Sequence, residues 1–269
     1  MTQEPVDPDY PNSSTYPEYY REEPPQPPAP EQKVSVSMPF SRPYVTYTLL
    51  ALNIIIFLLQ AAGEFWLGFD VVAGLGLKVN ELIRQGQYWR LFTPMFLHGS
   101  ILHLGFNMYA LYIFGPGLER YYRHGRFLLL FLLGGFAGNV FSFMFSASPS
   151  LGSSTAIFGL LGAEGVFLYR NQEVFGGVAR RALTNIIMIA IVNFMIGLSP
   201  GIDNWGHLGG LIGGTIFAWI GGPILKVKGI YPDLRVENIT ETREVVLAAL
   251  VDVALFGFLA FGDIFLWGS

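Results

Sequence analysis

Of 269 residues, 52% are hydrophobic and 13% charged, with a net charge of −4, which excludes an ordinary soluble domain and leaves no basic surface for nucleic acid. The absence of cysteine excludes disulfides, thiolate catalysis and sulfur-ligated metal. An all-α polytopic membrane protein is expected, because seven stretches are long and apolar enough to cross a hydrocarbon core of about 30 Å: 44–61, 100–117, 127–146, 154–169, 182–199, 205–222 and 245–267.

In chain order, residues 1–41 are rich in Pro, Tyr and acids, with Tyr10-Pro11, Tyr16-Pro17, Pro24-Pro25 and Pro27-Pro28, too polar for a core and too Pro-rich for a helix. The reading is a disordered cytoplasmic tail. It is neither a signal peptide, lacking an apolar segment after a basic start, nor a transit peptide, being acidic. The six spans that follow form one domain, 42–222, then a charged linker, 223–244, and a seventh span, 245–269. Arg120, Arg123 and Arg126, then Arg170, Arg180 and Arg181, then Lys226, Lys228, Arg235 and Arg243 occupy alternate loops. Those loops are expected to be cytoplasmic, with the N-terminus inside and the C-terminus outside. Asn12-Ser13-Ser14 and Asn238-Ile239-Thr240 fit the glycosylation pattern, but on that same inner side, so they read as chance. His124, in a basic loop, reads as a solvated bystander.

Span two carries His98 at its aqueous edge, placed to hold a water or a loop, and His103 and Asn107 four residues apart on one face. Two stacked donors in an apolar helix suit an oxyanion hole; interhelical hydrogen bonding is the rival explanation. Span four opens on Gly152-Ser153-Ser154-Thr155-Ala156-Ile157-Phe158-Gly159. A serine at a helix start caps free amides in most proteins, yet those amides can equally stabilise an oxyanion beside its hydroxyl, and Gly152 lets a substrate backbone come close. Span six opens on Asn204-Trp205-Gly206-His207-Leu208-Gly209-Gly210. A histidine in a span is costly enough to suggest function, and Gly206, Gly210 and Gly214 facing Gly159, Gly162 and Gly165 would pack the two helices closely. His207 then lies level with Ser154 and can take its proton. A metal site of His98, His103 and His207 lacks a carboxylate and the usual ligand spacing. Glu164 lies roughly 15 Å below Ser154, too deep to orient His207, and Asp252 and Asp263 fall near the ends of span seven. A Ser-His dyad is expected.

Taken together, these motifs resemble the rhomboid family of intramembrane serine proteases over residues 44–222. The Gly152–Gly159 turn resembles its nucleophile motif and His207–Gly210 its base motif; His98, His103 and Asn107 fit its second-span pattern, Trp89-Arg90 its outer-loop pair, and Gly115 with Glu119 the pattern closing span two. The resemblance implies a six-helix bundle plus a seventh helix, with Ser154 as nucleophile and His207 as base. It also implies an oxyanion hole from His103, Asn107 and the Ser154 amide, and Phe158 packed on the imidazole. His98, Gly152 and Asn204 would support the site. The aromatic loop 62–97, with Phe65, Trp66, Phe69 and Trp89, would dip into the membrane interface. The implied substrates are single-span membrane proteins in the lipid bilayer, with no metal or organic cofactor, and a bacterial inner membrane is the expected home. One departure is Thr155, where the family usually has glycine; crowding of the oxyanion site would reduce or alter activity. Two alternatives follow: a catalytically inactive relative that binds membrane clients, and a transporter, which the clustering of polar residues near one face opposes.

Overall fold

The computed structural model describes residues 36–38 and 41–267. Seven long helices occupy the seven apolar stretches: α1 (Tyr44–Leu67), α4 (Ile101–Tyr122), α5 (His124–Phe145), α6 (Ser154–Arg170), α8 (Gly177–Ile196), α9 (Asn204–Gly221) and α10 (Thr242–Trp267). Short helices α2 (Val71–Gly76), α3 (Asn80–Arg84) and α7 (Gln172–Phe175) sit in the connections. The chain is an all-α polytopic membrane protein, six helices and a seventh that packs on α9 and α5. By length and hydropathy alone, α1, α5, α8 and α10 qualify as spans. The helices α4 and α9 fall short because glycine, histidine and asparagine replace aliphatic residues there, and α6, at 17 residues, because it is short. They are the three that hold the candidate site.

Close approach is what those glycines provide. A Cβ at Gly214 would lie 2.0 Å from the Gly159 carbonyl oxygen, and one at Gly210 would lie 2.0 Å from that of Thr155, so α9 and α6 meet backbone to backbone. On the other side, a Cβ at Gly138 of α5 would lie 2.6 Å from the Gly206 carbonyl oxygen. Gly162 also faces α9, against Leu211, but Gly165 faces Leu183 and Ile186 of α8 instead. The resulting core is filled by Leu111, Leu118, Phe127, Phe131, Leu160 and Phe217. In contrast, α8 leans on α6 and α7 and is otherwise almost wholly exposed.

At the end opposite Ser154, the buried Glu119 of α4 accepts hydrogen bonds from the Val45 amide (2.9 Å), the Thr46 amide (2.8 Å) and the Thr46 hydroxyl (2.7 Å). These satisfy the orphan donors that begin α1. Gly115, one turn earlier, leaves room for Thr46, whose Cγ2 would stand 2.6 Å from a Cβ there. His124 joins the same carboxylate, with Nδ1 at 2.6 Å from Oε1, and is therefore a partner of Glu119 rather than a solvated bystander.

The charged linker is also structured. Leu225–Lys228 (β2) and Leu234–Asn238 (β3) form an antiparallel hairpin, and Val36–Ser37 (β1), inside the segment read as a tail, pairs in parallel with β3. Its sequence alternates apolar and charged residues, the period of a strand with one buried face, and Leu225 and Val236 are the buried members. Asn171 at the end of α6 anchors it, accepting from the Leu225 amide and donating to the Pro223 carbonyl. The rest of residues 1–41 lies outside the described residues, save 38 and 41. Asp252, read as near a helix end, is fully buried well inside α10 with both carboxylate oxygens unpartnered among the described residues. Asp263 pairs with Arg84 at 2.8 Å, which fixes the far end of α10 beside the loop that precedes α4.

Candidate active site

The turn before α6 is shaped by Gly152, whose φ of 129° lies where only glycine is at ease. Its amide donates to the Pro94 carbonyl at 2.9 Å, and a Cβ there would stand 2.7 Å from His103 Nε2 and 3.6 Å from Ser154 Oγ. A side chain at 152 would fill the space between the two; glycine leaves it open. Ser154 is the first residue of α6, so the helix's earliest amides, without intrahelical acceptors, begin beside its hydroxyl.

Across from it, the fourth residue of α9 supplies an imidazole. His207 Nε2 lies 2.9 Å from Ser154 Oγ. When the serine hydroxyl donates to Nε2, the proton of a neutral imidazole sits on Nδ1, which is buried and has no partner among the described residues. Among the described residues no carboxylate orients this ring through a hydrogen bond. Phe158, one turn beyond Ser154, does so by stacking: the centroids are 4.3 Å apart and the planes 10° from parallel. Phe194 of α8 meets Phe158 edge-on at 5.6 Å.

His103 lies in the first turn of α4, its amide capped by the Ser100 hydroxyl at 3.1 Å. Asn107 follows one turn later, buried, donating Nδ2 to the His103 carbonyl at 3.1 Å. His98 is not at an aqueous edge. It is 1% exposed, its backbone is clamped on both sides by Gln60, and its Nε2 lies 3.3 Å from Ser153 Oγ. Burial, and secondarily the neighbouring His103, push its pKa down to about 3, so it stays neutral and can brace the turn before α6 without charge. The two rings meet edge-on at 5.2 Å.

A family model described as the Rhomboid domain matches residues 85–224. The chain belongs to the rhomboid family. Among its relatives are "Rhomboid protease GluP" of Bacillus subtilis (strain 168), 45% identical over 178 residues, which are 66% of this chain and 34% of that protein. From Arabidopsis thaliana come "RHOMBOID-like protein 9, chloroplastic", 38% identical over 154 residues (56% of this chain, 35% of that protein), and "RHOMBOID-like protein 1", 37% identical over 145 residues (54% and 37%). The chain thus spans about a third of the length of these relatives.

Within this rhomboid domain two readings of the sequence need correction. Thr155 does not crowd the oxyanion side. Its Cβ and Cγ2 are taken up between Gly138 of α5 and Gly206 of α9, 2.6 and 3.0 Å from where their Cβ atoms would stand. Asn204 does not join the site: its Nδ2 donates to the Phe194 carbonyl at 3.2 Å and its side chain packs on Gly197, tying α9 to the end of α8.

The neighbour of Asn204 was missed. Asp203 is the N-cap of α9, accepting from the Gly206 amide at 2.9 Å, while its other oxygen accepts from the Ser142 hydroxyl of α5. An aspartate just before an apolar helix is an N-cap signal legible in sequence. The Trp89-Arg90 pair has a local purpose too. Arg90 donates to Gln87 Oε1 (2.8 Å), the Leu77 carbonyl (2.7 Å) and the Gly74 carbonyl (2.8 Å), and Trp89 Nε1 to the Leu75 carbonyl (3.0 Å). Together they staple the loop that follows α1.

Proposed function

We propose that the protein is an intramembrane serine endopeptidase that cuts peptide bonds in or near transmembrane segments by a Ser154–His207 dyad. The observation that carries this reading is the 2.9 Å contact between Ser154 Oγ and His207 Nε2 at the start of two helices. Ser154 Oγ attacks the scissile carbonyl carbon as its proton passes to His207 Nε2. The oxyanion is met by the Ser154 amide with the side chains of His103 and Asn107, and each such donor is worth on the order of 3 kcal/mol in the transition state. Collapse breaks the C–N bond, His207 returns the proton to the leaving amine, and an ester on Ser154 remains. Water, deprotonated by His207, then releases the acid and restores the serine.

Single-span membrane proteins are the substrates this chemistry suits, since a helix must unwind before its carbonyl reaches Ser154. A multi-pass position in a bacterial inner membrane, with the N-terminus cytoplasmic and the C-terminus outside, fits the distribution of basic loops. Exposed Phe65, Trp66 and Phe69 around the end of α1 would seat that loop in the membrane interface. The packing of Thr155 between α5 and α9 removes the sequence argument for an inactive relative. The test is fluorophosphonate labelling of the purified full chain beside an assay on a model transmembrane substrate. Adduct on Ser154, with cleavage lost in both Ser154→Ala and His207→Ala, is the expected result; full cleavage by either variant sinks the dyad.

A further inference from the structure

The His207 ring has no hydrogen-bond partner behind it, so its placement depends on Phe158 and on wherever the first turn of α9 is held. That turn is held by Asp203. One carboxylate oxygen caps the Gly206 amide and the other takes the Ser142 hydroxyl, so the residue four before the base is bonded to α5 as well as to its own helix. Ser142 Oγ also lies 3.1 Å from Ser150 Oγ in the nucleophile turn. The Ser142 carbonyl in turn accepts from Lys78 Nζ at 3.2 Å, with the Ser146 carbonyl at 2.9 Å. The backbone of Lys78 pairs with that of Ser150 in both directions, at 3.1 and 3.2 Å. Lys78 and Ser142 are fully buried. A single polar cluster therefore joins the helix of the base, the turn of the nucleophile, and the loop that follows α1.

We propose that Asp203 is a positioning residue for the base, and that with Ser142 and the buried Lys78 that holds the Ser142 carbonyl it registers His207 against Ser154. The proposal rests on the dyad reading above. Its charge suits the place: the half-buried carboxylate at the start of α9 and the buried Lys78 ammonium at the end of α5 each face the favourable pole of a helix. The geometry also explains how a dyad functions without a third catalytic group. An orienting carboxylate normally bonds to the imidazole; here, from one turn earlier, it bonds to the backbone amide of Gly206, the residue before the base, and leaves the ring to Phe158. A cap that merely stabilised α9 would need only the Gly206 amide. The second bond, to a buried serine that also touches the nucleophile turn, is what ties the two catalytic groups together.

The experiment compares Asp203→Ala, Asp203→Asn and Ser142→Ala in the full chain, by turnover of a model transmembrane substrate and by the rate of fluorophosphonate attachment to Ser154. Misplacement of a base by about 1 Å costs roughly 100-fold, so Asp203→Ala is expected to lose between about 10- and 100-fold in kcat and in labelling rate, with KM within about twofold. Asp203→Asn, which keeps an acceptor for Gly206 and a partner for Ser142, is expected to recover to within about threefold of wild type. Ser142→Ala leaves the cap intact and tests the tether even if Asp203→Ala fails to fold; a loss in kcat and labelling by the protein that remains folded at the assay temperature is expected. Wild-type labelling and turnover in folded Asp203→Ala or in Ser142→Ala overturns the proposal, as does an Asp203→Asn variant no better than alanine. If wild type itself neither labels nor cleaves, the dyad reading has failed; if wild type labels and the variants match it, only the positioning role has.

Discussion

Thr155 illustrates how a side chain's direction, which sequence does not show, decides its meaning. Read as a β-branched residue next to the candidate nucleophile it threatens the oxyanion site, yet its methyl group fills the small gap that Gly138 and Gly206 leave. Its Oγ1 is buried without a partner among the described residues, and an unsatisfied hydroxyl costs about 1–3 kcal/mol. Thr155→Val should therefore cleave within about twofold of wild type and melt no lower in detergent. Thr155→Gly should melt lower, by the cavity it opens and the helix propensity it loses, roughly 1–2 kcal/mol together, with no gain in turnover. The proximity of Ser154, His207, His103 and Gly152 was legible because polar and glycine residues inside apolar spans are few and each had a motif around it. Asp203 and Asn204 show the limit. The two are adjacent, both are good caps, and only the helix boundary reveals that Asp203 turns inward while Asn204 turns to α8.

Hydropathy located all seven long helices, since about 20 apolar residues have few other uses in a chain this poor in charge. The linker after α9 carries two signals at once, basic charge that marks topology and a period that marks strands. Lys226, Lys228, Arg235 and Glu237 alternate with Leu225, Val227, Leu234 and Val236, which is the strand pattern the hairpin realises. The start of α1 carries its own prediction. Four donors converge on the buried Glu119 carboxylate, and hydrogen bonds to a charged group are worth about 1.5–3 kcal/mol each before losses of additivity. Glu119→Ala should lower the unfolding free energy by about 3 kcal/mol in a denaturant titration in mild detergent, while the fraction that stays folded cleaves normally. An unchanged midpoint would mean that α1 is held from elsewhere.

At the scale of the whole molecule, two buried basic side chains, one neutral and one charged at neutral pH, contribute to how stability varies with pH. His98 is pushed down to about 3 from 6.5, and Lys78, buried near Asp203 and Arg84, to about 8 from 10.5. Both bind a proton more weakly when folded, so each contribution is complete above the unfolded pKa and is lost as pH falls through the folded one. Thermal midpoints should therefore decline from pH 6.5 towards 3 through His98, and climb between pH 8 and 10.5 through Lys78. His98→Gln should flatten the first limb and Lys78→Met the second; limbs that keep their slopes in these variants would assign them to other groups.

The backbone contact between Gly159 and Gly214 has a mechanical consequence. Two helices that touch through side chains can yield by changing rotamers, but helices that touch atom to atom along the main chain have no such compliance. The distance between serine and histidine is then a stiff dimension of the molecule, insensitive to warming until the bundle comes apart as a unit. Freedom to move falls instead to α8, which leans on little and presents most of its surface outward. The candidate site and its neighbouring helix thus differ in stiffness: a vise whose jaws are fixed, with one loose wall beside it.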